Sequence, residues 1–199
     1  MQIGVLANDQ QWAELNNSAT VNDCVRIYSQ DENLSEIDAL LVLEDIVPDF
    51  RLTAKPIILN AVSITLNEMN APSNVMRINA WNSFIQRPKW EVAGQVTKEV
   101  LNVFSSLGKK ETIVDDKVGF VAARIISMII NEAYYALADS ISTKEEIDIA
   151  MRLGTNYPYG PFEWALLIGR EKVFTLLSKL SRGETRYQPA SLLEKEATL

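Results

Sequence analysis

The stretch "QIGVLANDQQWAELNNSATVND" (residues 2–23) decides how the chain begins to fold. An apolar run, Ile3 to Ala7, is followed by a polar stretch with room for one helix. Apolar runs of this length without alternation read as strands covered on both faces, as in a parallel sheet. Three similar runs follow, "CVRIYS" (24–29), "DALLVLE" (38–44) and "KPIILNA" (55–61). "NVMRINAW" (74–81) alternates more and reads as an edge or terminal strand. The connections are short, and "SQDENLSEI" (29–37) hardly holds a helix, so the sheet is expected to carry few covering helices.

From about Thr97 the period changes to that of a helix. Val100, Leu101, Val103, Phe104 and Leu107 share one face and Gly108 is a stop signal, placing a domain boundary near residues 93–97. "ETIVDD" (111–116) reads as a short extended link, and residues 118–139 as one long, mostly apolar helix. A helix apolar around most of its surface must be buried against other helices or against a second subunit. Ser142 and Glu145 form a predicted capping box for a helix over 143–153 that ends at Gly154. "NYPYGPF" (156–162) is a rigid turn whose aromatic residues, with Trp164, read as packing. Two amphipathic helices follow, at 163–169 and 170–180.

Composition closes several routes to function. The 199 residues carry 19 basic and 26 acidic side chains, net −7, which gives no basic field for nucleic acid or anionic lipid. No apolar run approaches the ~20 residues of a membrane span, and the chain start lacks the pattern of a leader. A single cysteine, Cys24, fits a reducing compartment, with the cytoplasm as the expected location. The decisive count is zero histidines, which removes imidazole general bases, Ser-His and Cys-His nucleophiles, and nearly every zinc site.

Where strand one gives way to helix one, a dinucleotide-binding fold places a glycine-rich turn so that backbone N–H groups can approach a pyrophosphate closely. Here Gly4 lies inside the strand and no glycine follows until Gly94. The residues therefore predict poor NAD binding or none. A ribose-binding acid would fall near Ser29 or Asp31, where a solvated loop acid is the simpler reading.

"DKVGFVAARIISMIINEA" (116–133), followed by "EEIDIAMRLGTNYPYGPFEWALLIG" (145–169), resembles the carboxyl-terminal helical domain of the 3-hydroxyacyl-CoA dehydrogenases. The family's D-x-P-G-F-[IV]-x-N-R pattern is matched by Asp116, Gly119, Phe120 and Arg124, and its N-E-A by Asn131, Glu132 and Ala133. Its D-I-D-x-A-M-x-x-G-x-x-x-P-x-G-P-F pattern is matched from Ile147 and Asp148 to Phe162, and "RYQPASLLEKEA" (186–197) is similar to the family's ending. The resemblance reaches back into the sheet. "LNAVSITLNEM" (59–69) keeps Asn60 and Ser63 of a substrate-binding segment, and "RINAWNSFIQRPKWEV" (77–92) keeps Asn82 and Glu91 of the catalytic one.

The resemblance implies an α/β plus all-α fold, with a shortened Rossmann-like domain at 1–95 and a helical dimerisation and substrate domain at 96–199. It also implies NAD as cofactor, an acyl-CoA ligand in fatty acyl-CoA metabolism, and a homodimer through residues 118–139. In the family a histidine takes the proton of the 3-hydroxyl, and a glutamate twelve residues later orients it. Twelve residues before Glu91 stands Asn79, and the family's further asparagine is Ala123. An amide does not accept a proton near neutral pH. The family activity is thus hydride transfer to NAD, whereas these residues predict a protein without it. The alternative is a non-catalytic acyl-CoA-binding or scaffold protein that pairs with an active relative. Glu91 also reads simply as a carboxylate on a strand edge near Arg87 and Lys89, paired or solvated, and Asn79 as a polar residue satisfied by backbone. Glu132 and Asp148 read as structural, and Leu166 stands where the family has an aspartate.

Overall fold

The computed structural model describes residues 1–29 and 34–199, so Asp31 lies outside the described residues. The described chain gathers into two compact units, Met1–Phe120 and Val121–Leu199.

In the first unit, β1 (Ile3–Leu6), β2 (Cys24–Ile27), β3 (Ala39–Val42), β4 (Ile57–Asn60) and β5 (Val75–Ile78) form parallel neighbours. β6 (Lys89–Ala93) joins β5 antiparallel, and β7 (Lys110–Ile113) joins β6 parallel, giving the order β2-β1-β3-β4-β5-β6-β7. Among the described residues two α-helices belong to this unit, α1 (Asp9–Asn16) and α2 (Lys98–Ser106). One face of the sheet packs Val5, Leu41, Ile58, Met76 and Trp90 against Leu15 of α1 and Val100, Val103 and Phe104 of α2. The other buries Leu40, Val42, Leu59 and Val75 under Phe50, Leu52, Ile64 and Leu66 from the connecting segments.

Three expectations are corrected here. β5 is an interior strand, buried at all four positions. Its apparent alternation comes from Arg77, whose guanidinium is buried against the Asp116 carboxylate and donates to the carbonyls of Ala61 and Ile64 at 2.8 Å each. β6, anticipated only as the strand that carries Glu91, is a full member of the sheet, and residues 111–113 of the expected extended link belong to strand β7. The first unit therefore continues through α2 and β7 to Phe120, not to residue 95.

The second unit is helical: α3 (Ala122–Ala138), α4 (Lys144–Thr155), α5 (Pro161–Ile168), α6 (Arg170–Ser181) and α7 (Ser191–Ala197). α3 buries Ala123, Ile126, Ile130 and Tyr134, and its Asn131 holds the chain before α7 by accepting from Ala190 N and donating to Gln188 O, both at 2.8 Å. The capping box of α4 falls one residue later than expected, on Thr143 and Glu146, and Ser142 adds a hydrogen bond to the same Glu146 carboxylate. The helix passes through Gly154 and ends where Asn156 adopts a left-handed backbone, φ 56°. Trp164 packs edge-on against Tyr157 and Tyr159, with centroids 5.4 and 6.1 Å away. No described helix is long and apolar enough to cross a membrane.

Candidate functional site

β5 and β6 run antiparallel, with Ile78 opposite Val92. One step further along this register places Asn79 opposite Glu91, and Asn79 N donates to Glu91 O at 3.3 Å. Opposed residues on antiparallel strands send their side chains to the same face. The Asn79 amide accordingly donates from Nδ2 to Glu91 Oε2 at 3.0 Å. Asn79 is 2% exposed and Glu91 half-buried. The twelve-residue spacing is thus a hairpin register, with the 80–88 turn closing it. β6 is flanked on both sides, so Glu91 is not on a sheet edge. It does carry the electrostatic tie to Arg87: burial pushes that guanidinium down and Glu91 holds it up.

Asn60 closes the β4 end of the same region. Its Nδ2 donates to Leu43 O and its Oδ1 accepts from Ala80 N, each at 3.0 Å. Both ends of this amide are occupied by backbone, which anchors the turn that begins at Asn79. Ser63 lies half-buried just beyond β4. Asn82 is buried, and its Oδ1 has no hydrogen-bond partner among the described residues. Next to it Ser83 holds φ 73°, a conformation L residues rarely adopt, and its buried hydroxyl is likewise unpartnered. Ser83 N donates to Glu14 Oε2 at 3.0 Å and Gln86 N to Glu14 Oε1 at 3.2 Å. Burial raises the Glu14 carboxyl, and these two N–H groups oppose it. Sequence reading missed Ser83 and Glu14, because neither a left-handed backbone nor a contact 69 residues away leaves a local pattern.

At the first strand-to-helix turn, Asn8 and Gln11 form a reciprocal capping box, so two N–H groups that could meet a phosphate are already taken. Gln11 is buried and donates to Leu43 O at 2.6 Å. Asp9 puts a carboxylate on the first turn of α1, where it pairs with Arg26 at 2.6 Å. A Cβ on Gly4 would lie 3.0 Å from Ile37, so this glycine serves sheet packing. With two of the turn's N–H groups capped, no glycine after Gly4 in the turn, and a carboxylate on the first turn of α1, these residues do not fit the pyrophosphate of NAD. In the second unit, Ala123 is fully buried within α3 and offers no polar group.

Residues 119–198 match the family model described as 3-hydroxyacyl-CoA dehydrogenase, C-terminal domain. The chain resembles the 3-hydroxyacyl-CoA dehydrogenases. It is 40% identical over 105 residues to the 3-hydroxyadipyl-CoA dehydrogenase of Escherichia coli K12, covering 52% of this chain and 22% of that protein. It is 31% identical over 178 residues to the 3-hydroxybutyryl-CoA dehydrogenase of Clostridioides difficile, covering 83% of this chain and 62% of that one. The crystal structure of (S)-3-hydroxybutyryl-CoA dehydrogenase from Ralstonia eutropha superposes with a TM-score of 0.71 at 18% identity, over 99% of this chain and 93% of that one. The fold is therefore the expected one, a Rossmann-like sheet and a helical unit. The chain spans between about a fifth and three fifths of the length of the curated relatives it matches.

Proposed function

We propose that this is a 3-hydroxyacyl-CoA dehydrogenase-like protein that holds an acyl-CoA ligand without carrying out hydride transfer. The observation that carries the reading is the Asn79–Glu91 pair. The position that the resemblance aligns with the family's base holds an amide, bonded by its N–H to the carboxylate. Such an amide can orient a ligand but cannot remove its hydroxyl proton. General base catalysis contributes ~10²–10⁴-fold, so turnover falls by at least that much. The turn at Asn8 to Gln11 adds an independent defect.

The test is NADH absorbance with acetoacetyl-CoA as substrate, alongside a fluorescence titration with NADH. The expected outcome is neither consumption nor saturable binding, and the Asn79→His variant stays inactive because the nucleotide turn is unchanged. Turnover at an ordinary dehydrogenase rate, or rescue by Asn79→His, would overturn the reading.

The favoured assembly is a homodimer through residues 118–139, which the structure makes α3 (Ala122–Ala138) and the turn before it, supported by the apolar side chains Val121 and Ile125 that this segment leaves more than half exposed. The same face would serve a scaffold pairing with an active relative.

A further inference from the structure

We infer that a second copy of this chain docks antiparallel along α3, with the two-fold axis near Met128 and Arg124 of each copy paired to Glu132 of the partner subunit. The inference rests on the homodimer reading above and adds an orientation and a register that the reading leaves open.

The exposure pattern of the helix carries it. From Val121 to Tyr135 four residues are exposed, Val121, Ile125, Glu132 and Tyr135, and Met128 in the middle is half-buried. Successive members of this set are four, three, four and three residues apart. That is the 3.5-residue period of a seam lying along another helix, and not the broader stripe that faces a globular core. The seam is also concave. Ile125, Met128 and Ile129 line a groove of about 430 Å³ together with Arg124, Glu132 and Tyr187.

Glu132 is the one charged member of the seam. Among the described residues its carboxylate has neither a hydrogen bond nor an ion pair. A carboxylate enclosed in an apolar seam is costly unless a cation meets it. Arg186 of the same groove already pairs with Glu184 at 2.7 Å. Arg124 donates to the Tyr187 hydroxyl at 3.4 Å, and its five N–H donors leave room for a carboxylate. Within one protomer Arg124 and Glu132 stand eight residues apart, about 12 Å along the helix, too far to pair.

A second α3 turned antiparallel about Met128 sets positions equally distant from that residue against each other. Val121 then faces Tyr135 of the partner subunit, and Arg124 faces Glu132 of the partner subunit, twice by symmetry. A parallel copy instead sets arginine against arginine and glutamate against glutamate. Sliding the antiparallel copy by one heptad leaves Glu132 without its cation. Charge at a seam position fixes register in this way, while the apolar members supply the burial.

Analytical ultracentrifugation of full-chain variants at micromolar concentration tests the pairing. Arg124→Glu alone and Glu132→Arg alone each bring like charges together twice, and each should raise the dimer dissociation constant at least about tenfold. Mixed one to one, the two variants should form a heterodimer. The double exchange Arg124→Glu/Glu132→Arg should dimerise like the wild type, so neither change acts through misfolding. Cross-linking checks the orientation. In a Cys24→Ser background a short bis-maleimide should join Val121→Cys chains to Tyr135→Cys chains and neither to itself, because two copies of one position lie about 21 Å apart along the seam. Three results overturn the register and leave the homodimer reading standing: single variants that dimerise like the wild type, losses that neither mixing nor the double exchange restores, or self-linking of Val121→Cys. A monomeric wild-type chain ends the homodimer reading and the inference with it.

Discussion

Lys109 carries its ammonium into the interior, 4% exposed, and donates to Ile85 O at 2.9 Å, Ser18 O at 3.0 Å, and Ser18 Oγ and Arg87 O at 3.1 Å. It thereby fastens the end of α1 to the turn between Asn82 and β6, the same turn that Glu14 holds from the other side. Burial pushes this amine down from 10.5 to about 8, with Glu14 pulling the other way. The folded state binds the proton less tightly than the unfolded one. The penalty is fully present below pH 8, and stability rises as pH climbs above it. Cys24, pushed up from 9.0 to about 11 by burial, works in the opposite direction above its ordinary value, so the clean window is pH 8 to 9. Urea midpoints measured across that window should increase for the wild-type chain and stay flat for Lys109→Met. A wild-type midpoint that falls over the same interval would contradict the assignment. Lys109 was invisible in the sequence because a lysine before a short polar strand reads as solvated. Asn79 and Glu91 were legible only as a spacing, and the hydrogen bond between them needed the hairpin.

At the scale of elements, Asp148 shows how one helix of the second unit holds the next. From α4 its carboxylate accepts from Phe162 N at 2.8 Å and Glu163 N at 3.2 Å, capping the start of α5. Gly160 permits the approach, since a Cβ there would lie 2.3 Å from Asp148 Oδ1. Asp148→Ala should cost about 1–2 kcal/mol, the usual loss for a helix cap, and lower the melting temperature by roughly 2–8 °C. Gly160→Ala should be destabilising too, by forcing the carboxylate off the cap; a variant melting at the wild-type temperature would show that the contact is dispensable. This part of the chain was legible because helix caps and apolar periods are local. β1 to β4 were legible for a similar reason: their apolar runs are uninterrupted. β5 was misjudged through Arg77, whose neutralising partner Asp116 lies 39 residues away. β6 was read only at Glu91, without its bounds or neighbours, because Lys89 and Glu91 break its apolar run, and β7 was missed because its "KETI" is polar and, apart from Glu111, exposed, as edge strands commonly are. Strand pairing across the sheet, unlike a helix stripe, leaves no signature within a short window.

For the molecule as a whole, the question left by α3 is what covers its second stripe. Ala123, Ile126, Ile130, Ala133 and Tyr134 are buried within the protomer. On the other side Val121 and Ile125 are 54% exposed and Tyr135 39%, with Met128 and Ile129 only half-buried between them. A helix facing a single core needs only about a 100° apolar arc, and this one carries more. Contiguous exposed apolar surface of this kind marks an interaction site, and a two-fold copy is the commonest way to close it. Burial driven by apolar area does not depend on charge. Light scattering should therefore report a dimer at low salt that persists at high salt, although the chain carries a net charge of −7 that repels its copies. Ile125→Glu places a carboxylate on an exposed position of that stripe and should yield monomers or aggregates, while its melting behaviour tracks the loss of the partner. A wild-type chain that stays monomeric at micromolar concentration would instead assign the stripe to a different protein, the scaffold arrangement named above. A dimer that dissociates as salt is raised would mean that charged groups, not α3, hold the copies together.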